Sequence, residues 1–263
     1  MTDRQEKLDY ADRWSLDALT LSNPPGYFIL VDIDMTSTQQ IIAQLRGQGI
    51  KGTYTHMIIR ATALAFKRHP ELNRLLLGKR LVYPDSIDIG LSVGSPIALS
   101  GNPSMVIHNA DQKELKQIVQ EIIKRAPGVR EGHAAERARI RRVAHIIPGW
   151  ARRLLFRIMM SRISFVKKMS GTFFVSSVPH LQYAIPLVYP GSGMLVITAV
   201  EERVVAKEGQ PVVRPMMTLG NVGDRRLWDG NNAGLLLNEI KKILEEGVLA
   251  EEIPGAEELA LQS

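Results

Sequence analysis

Five strand-like segments crowd into the last third of the chain and limit its possible folds more than any other feature. Each has an apolar centre, and Gly or Pro residues occur between them; they cover residues 172–178, 185–189, 194–200, 203–207 and 212–219. Short apolar runs between turn residues are typical of strands. Helical patterns precede and follow these segments, so the order of elements predicts an α+β fold in which helices pack on a sheet.

The first half of the chain predicts further strands and helices. Apolar residues recur at helical spacing over residues 53–69. The sequence PELN at residues 70–73 predicts a turn. A later helix, with Asp111 as its cap, should end at Pro127-Gly128, because proline removes an intrahelical hydrogen bond. The other predicted elements are strands over residues 27–34, 80–83, 87–93 and 105–109, and helices over residues 36–46 and 231–246.

Composition places the chain among globular proteins with one domain over residues 1–263. Apolar residues make up 45% and charged residues 23% of it, which is ordinary for a chain with a buried core. Without cysteine it has no disulfide and no thiolate nucleophile, which fits a cytoplasmic location. Neither a signal peptide nor a run of about 18 apolar residues is present. Because the histidines lack ligand spacing such as HExxH, we expect no metal.

Positive charge is concentrated in one segment. The chain carries a net charge of +6, but residues 136–169 hold ten Lys or Arg residues against one acid, Glu136, so the remainder is net negative. Such a distribution indicates one basic surface and does not predict a nucleic-acid-binding protein. The segment is predicted to form two helices that separate at Pro148-Gly149, and the chain after Gly247 should be an acidic, frayed tail over residues 247–263.

Within this segment, residues 146–169 have an amphipathic pattern. The apolar residues Trp150, Leu154, Leu155, Ile158 and Met159 share one helical face, while the basic residues Arg152, Arg153 and Arg157 fall elsewhere. Basic amphipathic helices with Trp and Leu bind anionic membrane surfaces or acidic partners. The alternative is a helix packed on its own domain with a solvated basic face, because apolar stripes usually belong to a core.

The motif DRRLWDG at residues 224–230 lies directly before the last predicted helix. It resembles the D-H-R-x-x-D-G signature of dihydrolipoyl acyltransferase catalytic domains from 2-oxoacid dehydrogenase complexes; chloramphenicol acetyltransferases share the HxxxDG part. Six earlier segments resemble parts of the same family in the same order, so the resemblance extends from about residue 13 to about residue 246. These segments cover residues 13–22, 53–73, 87–96, 109–122, 170–178 and 213–220.

The resemblance implies a chloramphenicol-acetyltransferase-like, two-layer sandwich of a mixed sheet and helices that assembles as a homotrimer. Active sites of the family lie between subunits, and the substrate is a thioester of coenzyme A or of an acyl-carrier pantetheine. No metal is implied. The family's lipoyl and subunit-binding domains have no counterpart in the sequence, which predicts a role outside a dehydrogenase complex. Residues 130–169 are an insertion relative to the family.

One departure from the signature concerns the reaction itself. The family's histidine is a general base, and Arg225 stands at its position. Histidine suits that task because its pKa lies near neutrality, whereas a guanidinium stays protonated and has no acceptor atom. Arg225 therefore indicates a changed chemistry, a grip on a ligand carboxylate or phosphate, or an ion pair in a site that has lost its activity.

Three other residues complete the candidate site. Ser176 matches the family serine whose hydroxyl stabilises the tetrahedral oxyanion. Asp229 matches the aspartate that orients the histidine loop through an arginine, for which Arg13 and Arg226 are candidates; it also suits the N-cap of the last helix. His180 lies four residues after Ser176, in a loop that lines the family's substrate channel, although a loop histidine facing water is the simpler interpretation.

Three hypotheses about function follow. The first is a stand-alone acyltransferase-type protein that acts on, or binds, an acyl-CoA or acyl-carrier thioester. The second is a non-catalytic trimeric scaffold or ligand-binding protein that keeps the fold and has lost the reaction. The third is an acyl- or lipid-handling protein at the membrane surface, peripheral to the cytoplasmic side and held there by the basic helix.

Overall fold

A computed structural model describes residues 26–77, 80–94, 103–144, 147–186 and 191–253. Residues 13–22, which resemble the N-terminal arm of the family, lie outside these ranges, as does the end of the acidic tail. No helix in the described ranges is long and apolar enough to cross a membrane.

Six α-helices occur in the described chain. The predicted break at Pro148 is confirmed, because that residue directly precedes a new helix. Short 3-10 helices cover Pro70–Leu72, Ala110–Gln112 and Val248–Glu252. The α-helices are α1 (Thr36–Gly47), α2 (Tyr54–Arg68), α3 (Leu115–Ala144), α4 (Gly149–Met160), α5 (Ile163–Ser170) and α6 (Gly230–Glu245).

Two predictions about α3 were wrong. The helix does not end at Pro127-Gly128 but continues to Ala144. Pro127 and Gly128 are both exposed, so the proline ring faces solvent and removes one hydrogen bond without ending the helix. Asp111 does not cap α3, because it lies in the preceding 3-10 helix.

A mixed seven-stranded sheet forms the second layer, in the order β1-β9-β7-β6-β4-β5 with β8 paired to β9. Strand β6 is parallel to β4 and β7, and the other pairs are antiparallel. Strands β2 and β3 form a separate hairpin. The strands are β1 (Gly26–Asp34), β2 (Leu75–Leu77), β3 (Arg80–Val82), β4 (Ile89–Ser92), β5 (Ser104–Ile107), β6 (Phe173–Ser177), β7 (Gly193–Ile197), β8 (Val200–Lys207) and β9 (Gln210–Asp224).

The strand predictions failed at two places. Strand β2 was missed, because the turn signal before it gives no reason to expect pairing with β3. The strand predicted over residues 185–189 is absent at Ile185 and Pro186, and the rest of that range lies outside the described chain. Pro186 has no N–H to donate to a ladder. The chain here folds back over the sheet instead. The Ala184 carbonyl oxygen lies close to Gly220, 3.3 Å from the point where a side chain at that position would place its Cβ.

The two faces of the sheet differ. One face packs against helices in a single core that contains Ile33, Phe173 and Leu219 from strands and Phe66 and Leu236 from helices. The opposite face has only a small cluster around Phe174, Met194, Val196 and Val222. A mixed sheet with helices on one face confirms the α+β prediction.

The chain after α6 does not fray at once, contrary to the prediction. Leu249 is buried, and the Glu252 carboxylate accepts hydrogen bonds from the Arg60 side chain at 2.6–3.0 Å and from the Leu115 N–H at 2.7 Å. Charge-assisted bonds to a nearly buried arginine hold residues 247–253 against α2 and α3.

His56 forms a cap at the start of α2. Its Nδ1 accepts the Thr53 N–H at 3.1 Å and lies 2.9 Å from the Thr53 hydroxyl. Only unprotonated Nδ1 can accept that bond. Burial lowers the pKa of His56 from 6.5 to about 4, so the ring is neutral at pH 7.

Acidification should therefore destabilise the protein through His56. Below the unfolded pKa of 6.5 the unfolded chain binds a proton that the folded ring refuses until about pH 4, so stability falls as pH drops through this window. At about 1.4 kcal/mol per pH unit, the loss from pH 7 to pH 5 is about 2 kcal/mol. His56→Gln keeps an acceptor without titrating. Urea unfolding at both pH values should show the extra loss in wild type only; equal losses would refute this role.

Candidate functional site

The candidate site is built on a tight turn at the end of β9. The carbonyl oxygen of Asp224, the last residue of the strand, accepts the N–H groups of Leu227 at 2.9 Å and Trp228 at 3.0 Å. Leu227 and Trp228 are buried, whereas Arg225 and Arg226 between them and the strand are exposed. The turn thus points two guanidinium groups away from the core.

Trp228 fixes this turn to the core. Its side chain is completely buried and its ring stacks on Phe173, with ring centroids 5.6 Å apart. Phe66 and Tyr27 lie 6.0 and 6.5 Å away by the same measure. Aromatic contacts of this kind add about 0.5–1.5 kcal/mol each beyond area burial. The backbone that carries Arg225 is therefore held rigidly.

Arg226 stabilises the turn from outside. Its Nη2 donates to the buried Asp224 carboxylate at 2.7 Å, and its Nε donates at 2.9 Å, in a two-pronged pair. The Asp224 carboxylate also accepts the Arg226 backbone N–H at 2.9 Å. Arg226 was predicted as a candidate partner of Asp229, and the carboxylate it binds here is that of Asp224. The sequence could have indicated this pair, because Asp224 lies two residues before Arg226 in the motif.

Arg225 is exposed, and within the described ranges it forms no ion pair. Nothing in this part of the chain neutralises its charge. An ion pair would do so if the site had lost its activity and kept Arg225 only for stability. A guanidinium cannot take a proton from an attacking thiol, so a base at this position is excluded. The group can instead donate parallel hydrogen bonds to a phosphate or carboxylate.

Asp229 caps α6, as the sequence predicted. One carboxylate oxygen accepts the Asn232 N–H at 2.8 Å, and the backbone of Asp229 is extended, as is usual for an N-cap. The other predicted partner, Arg13, lies outside the described residues. The cap holds the far end of the turn that carries Arg225.

Ser176 lies in β6 on the face of the sheet away from the helices. It is half-buried, lies two residues after Phe174 of the small cluster and so on the same face, and pairs with Val196 of β7. Val196 in turn pairs with Gly220 of β9. Since Gly220 has no side chain, the Ala184 carbonyl oxygen packs over this row next to Val196.

Ser176 and Arg225 are not brought together within one chain. Arg225 lies five residues beyond Gly220, and Ser176 lies two strands away from Gly220. At about 3.3 Å per residue and about 4.8 Å per strand, their Cα atoms are roughly 19 Å apart. Ser176 is near the carboxyl end of β6 and Arg225 is at the opposite end of the sheet. One subunit cannot place both on the same small reacting group.

His180 lies in a tight turn directly after β6. The Leu181 N–H donates to the Val178 carbonyl oxygen at 3.0 Å and closes this turn, so that the exposed His180 is at its tip. It pairs with no carboxylate in the described ranges. This placement agrees with the simpler interpretation of a water-facing loop histidine. Within the same ranges, no three His, Asp or Glu side chains cluster as metal ligands.

The family model of the 2-oxoacid dehydrogenase acyltransferase catalytic domain matches residues 2–138 and 152–250. The chain therefore belongs to this family, and the resemblance seen in the motifs is confirmed. The unmatched residues, 139–151, fall within the predicted insertion and include Trp150.

Curated relatives are longer proteins. The chain is 28% identical over 201 residues to the dihydrolipoyllysine-residue succinyltransferase component of the 2-oxoglutarate dehydrogenase complex of Cupriavidus necator, covering 75% of this chain and 41% of that protein. It is 24% identical over 246 residues to the lipoamide acyltransferase component of the branched-chain alpha-keto acid dehydrogenase complex of Bacillus subtilis, covering 92% and 48%. The chain thus spans less than half the length of these relatives.

Solved structures show the same fold. A probable dihydrolipoamide acetyltransferase from Listeria monocytogenes superposes with a TM-score of 0.72 at 22% identity, covering 93% of this chain and 95% of that one. The dihydrolipoamide acetyltransferase of Azotobacter vinelandii gives 0.72 at 21% identity, covering 93% and 92%.

The Asp229 cap can be tested separately from any activity. Asp229→Ala leaves the Asn232 N–H without its acceptor and should lower the free energy of unfolding by about 1 kcal/mol. Asp229→Asn retains a capping oxygen and should lower the free energy of unfolding by only a few tenths of a kcal/mol. Urea unfolding of the three proteins measures both differences; an alanine variant as stable as wild type would contradict the cap.

Proposed function

We propose that the protein binds an acyl thioester of coenzyme A or of an acyl-carrier pantetheine and carries out acyltransferase-type chemistry without the family's histidine base. One observation carries this proposal. Arg225, at the motif position where the family has its histidine, lies on a turn that is held by the Trp228 ring, the Asp224–Arg226 pair and the Asp229 cap. A turn kept rigid around an exposed guanidinium favours a ligand-binding role over decay of the site.

The ligand group that Arg225 would bind is an anion. Coenzyme A carries phosphates, and an acyl group or acceptor can carry a carboxylate. A guanidinium binds either group through two parallel N–H donors. The absence of an ion pair to Arg225 in the described chain supports this role, because the charge is available to a ligand.

The expected chemistry is slow with a thiol acceptor. In the transfer, the acceptor sulfur attacks the thioester carbonyl carbon, the bond to the coenzyme A sulfur breaks, and the acceptor proton ends on that sulfur. Without a general base to carry the proton, the rate falls by about two to four orders of magnitude. Ser176 would donate a hydrogen bond to the oxyanion, a contribution of about 3–4 kcal/mol when preorganised.

The proposal also includes a homotrimer, with each site shared between subunits. Two observations support assembly. Ser176 and Arg225 lie at opposite ends of one sheet, and on the sheet face away from the helices β1 exposes two apolar side chains, Phe28 at 60% and Leu30 at 39%. On the β8–β9 arm, Val204 and Val213 are 71% and 60% exposed, but the strand register puts them on the face that continues from Met217 of the core. Exposed apolar side chains such as Phe28 and Leu30 mark interaction sites when they form a patch.

The Arg225 proposal predicts measurable ligand binding. In calorimetric titration, the protein should bind acetyl-CoA, and Arg225→Ala should weaken binding about ten- to hundredfold, because a hydrogen bond to a charged group contributes about 1.5–3 kcal/mol. Arg46→Ala, which removes an exposed arginine from the last turn of α1, should leave binding unchanged. Acetyl transfer to dihydrolipoamide should be near background in wild type and rise in Arg225→His.

Two outcomes would count against this account. No binding of coenzyme A or acetyl-CoA by wild type would reject the thioester site and favour the trimeric scaffold. Efficient wild-type transfer that survives both Ser176→Ala and His180→Ala would mean that the reaction occurs elsewhere on the molecule.

A further inference from the structure

Helix α4 exposes a large apolar face. Trp150 is 70% exposed, Leu154 51%, Ile158 45% and Leu155 39%. At about 100° per residue, these four side chains fall within an arc of about 140° on one side of the helix. Scattered exposed apolar residues are normal, but an aromatic and three aliphatic side chains on one short helix form a patch that marks an interaction surface.

Most side chains of this helix are at least partly exposed. Arg152 is its only buried residue, and the Arg152 Nη1 donates to the Ile147 carbonyl oxygen at 3.0 Å. The next helix is different, because Ile163 and Val166 of α5 pack against Leu75 and Leu77 of the β2–β3 hairpin. Helix α5 thus packs on the domain, whereas Trp150 of α4 is exposed.

Positive charge borders the apolar arc. Arg157 and Arg153 are exposed and follow one edge of the arc at about 20° and about 60° from Trp150 on the helical wheel. Arg162 and Lys168 are exposed nearby. Residues 147–170 contain no Asp or Glu.

We propose that α4 is an interfacial helix that binds the protein to an anionic membrane surface. An aromatic ring suits the boundary between headgroups and acyl chains, the leucine and isoleucine side chains suit the acyl region, and arginines at the edge reach the lipid phosphates. The helix has 12 residues and a length of about 18 Å. It therefore lies in the plane of the surface.

Other occupants fit this face less well. A second copy of α4 would bring like charges together at the edge of the patch. Nucleic acid would satisfy the arginines but would offer Leu154 and Ile158 no apolar phase. An acidic protein surface would have to combine carboxylates with an apolar groove, whereas an anionic bilayer supplies both over any area.

Vesicle flotation of the full chain tests the proposal. Vesicles of phosphatidylcholine with phosphatidylglycerol should bind the protein, pure phosphatidylcholine should bind it much less, and rising salt should weaken binding. Arg153→Gln with Arg157→Gln should reduce the partition coefficient about thirtyfold, since each basic residue near the surface contributes about fivefold. Lys51→Gln with Lys207→Gln removes two charges elsewhere on the described chain and should change binding little.

The apolar face has its own test. Brominated phosphatidylcholine in the anionic vesicles should quench the fluorescence of a Trp14→Phe variant, whose remaining tryptophans are Trp150 and Trp228. Adding Trp150→Phe should remove most of this quenching, because Trp228 is buried in the core. Leu154→Gln with Ile158→Gln should reduce binding at least tenfold, whereas Tyr83→Ser, at another exposed aromatic, should not. Circular dichroism checks that each variant is folded.

Three results would overturn the proposal. The first is equal recovery with and without anionic vesicles. The second is binding that the arginine pair does not affect. The third combines two observations: wild type does not bind vesicles, and the Leu154→Gln, Ile158→Gln variant has a lower molar mass than wild type by light scattering. That result would assign the face to a second copy of the chain. None of these measurements depends on the proposed acyltransferase activity.

Discussion

The turn at the end of β9 determines the geometry of the candidate site. Strand β9 pairs with β1, β7 and β8, so its path is fixed along its length. At its end the Asp224 carbonyl oxygen holds the Leu227 and Trp228 N–H groups, and the Trp228 ring closes the aromatic core. This turn begins where the sheet ends and finishes at the N-terminus of α6. The position of Arg225 is therefore a consequence of sheet pairing and core packing.

The same sheet separates the two residues proposed for the site. Ser176 lies in β6 and Arg225 directly follows β9, and β7 lies between these two strands. The strand register places their Cα atoms roughly 19 Å apart, towards opposite ends of the sheet. A small acyl group cannot touch both residues in one subunit. The exposed apolar side chains of Phe28 and Leu30 offer a surface against which another subunit could bring the second proposed residue into place. Assembly and chemistry are thus linked in the proposal.

The sequence predicted local features well and long-range contacts poorly. The Asp229 cap was predictable because its acceptor and donor are three residues apart, and most strands followed from their apolar patterns. Strand β2 and its pairing with β3 were missed, since the hairpin packs against α5, which is far away in sequence. The continuation of α3 through Pro127 depends on that ring facing solvent, and the docking of Glu252 on Arg60 joins residues nearly two hundred positions apart. The exposure of Trp150 likewise depends on which other elements of the domain pack against α4, and a local sequence pattern does not determine that.

The claim that each site is shared between subunits can be tested by crosslinking. The sequence contains no cysteine, so introduced cysteines are the only thiols in the protein. Chains with Ser176→Cys and chains with Arg225→Cys would be co-expressed, treated with a short bis-maleimide, and separated by mass. The account predicts covalent pairs that contain one chain of each kind, and none when either variant is treated alone. Absence of mixed pairs from an assembled protein would contradict a site formed by Ser176 of one subunit and Arg225 of another.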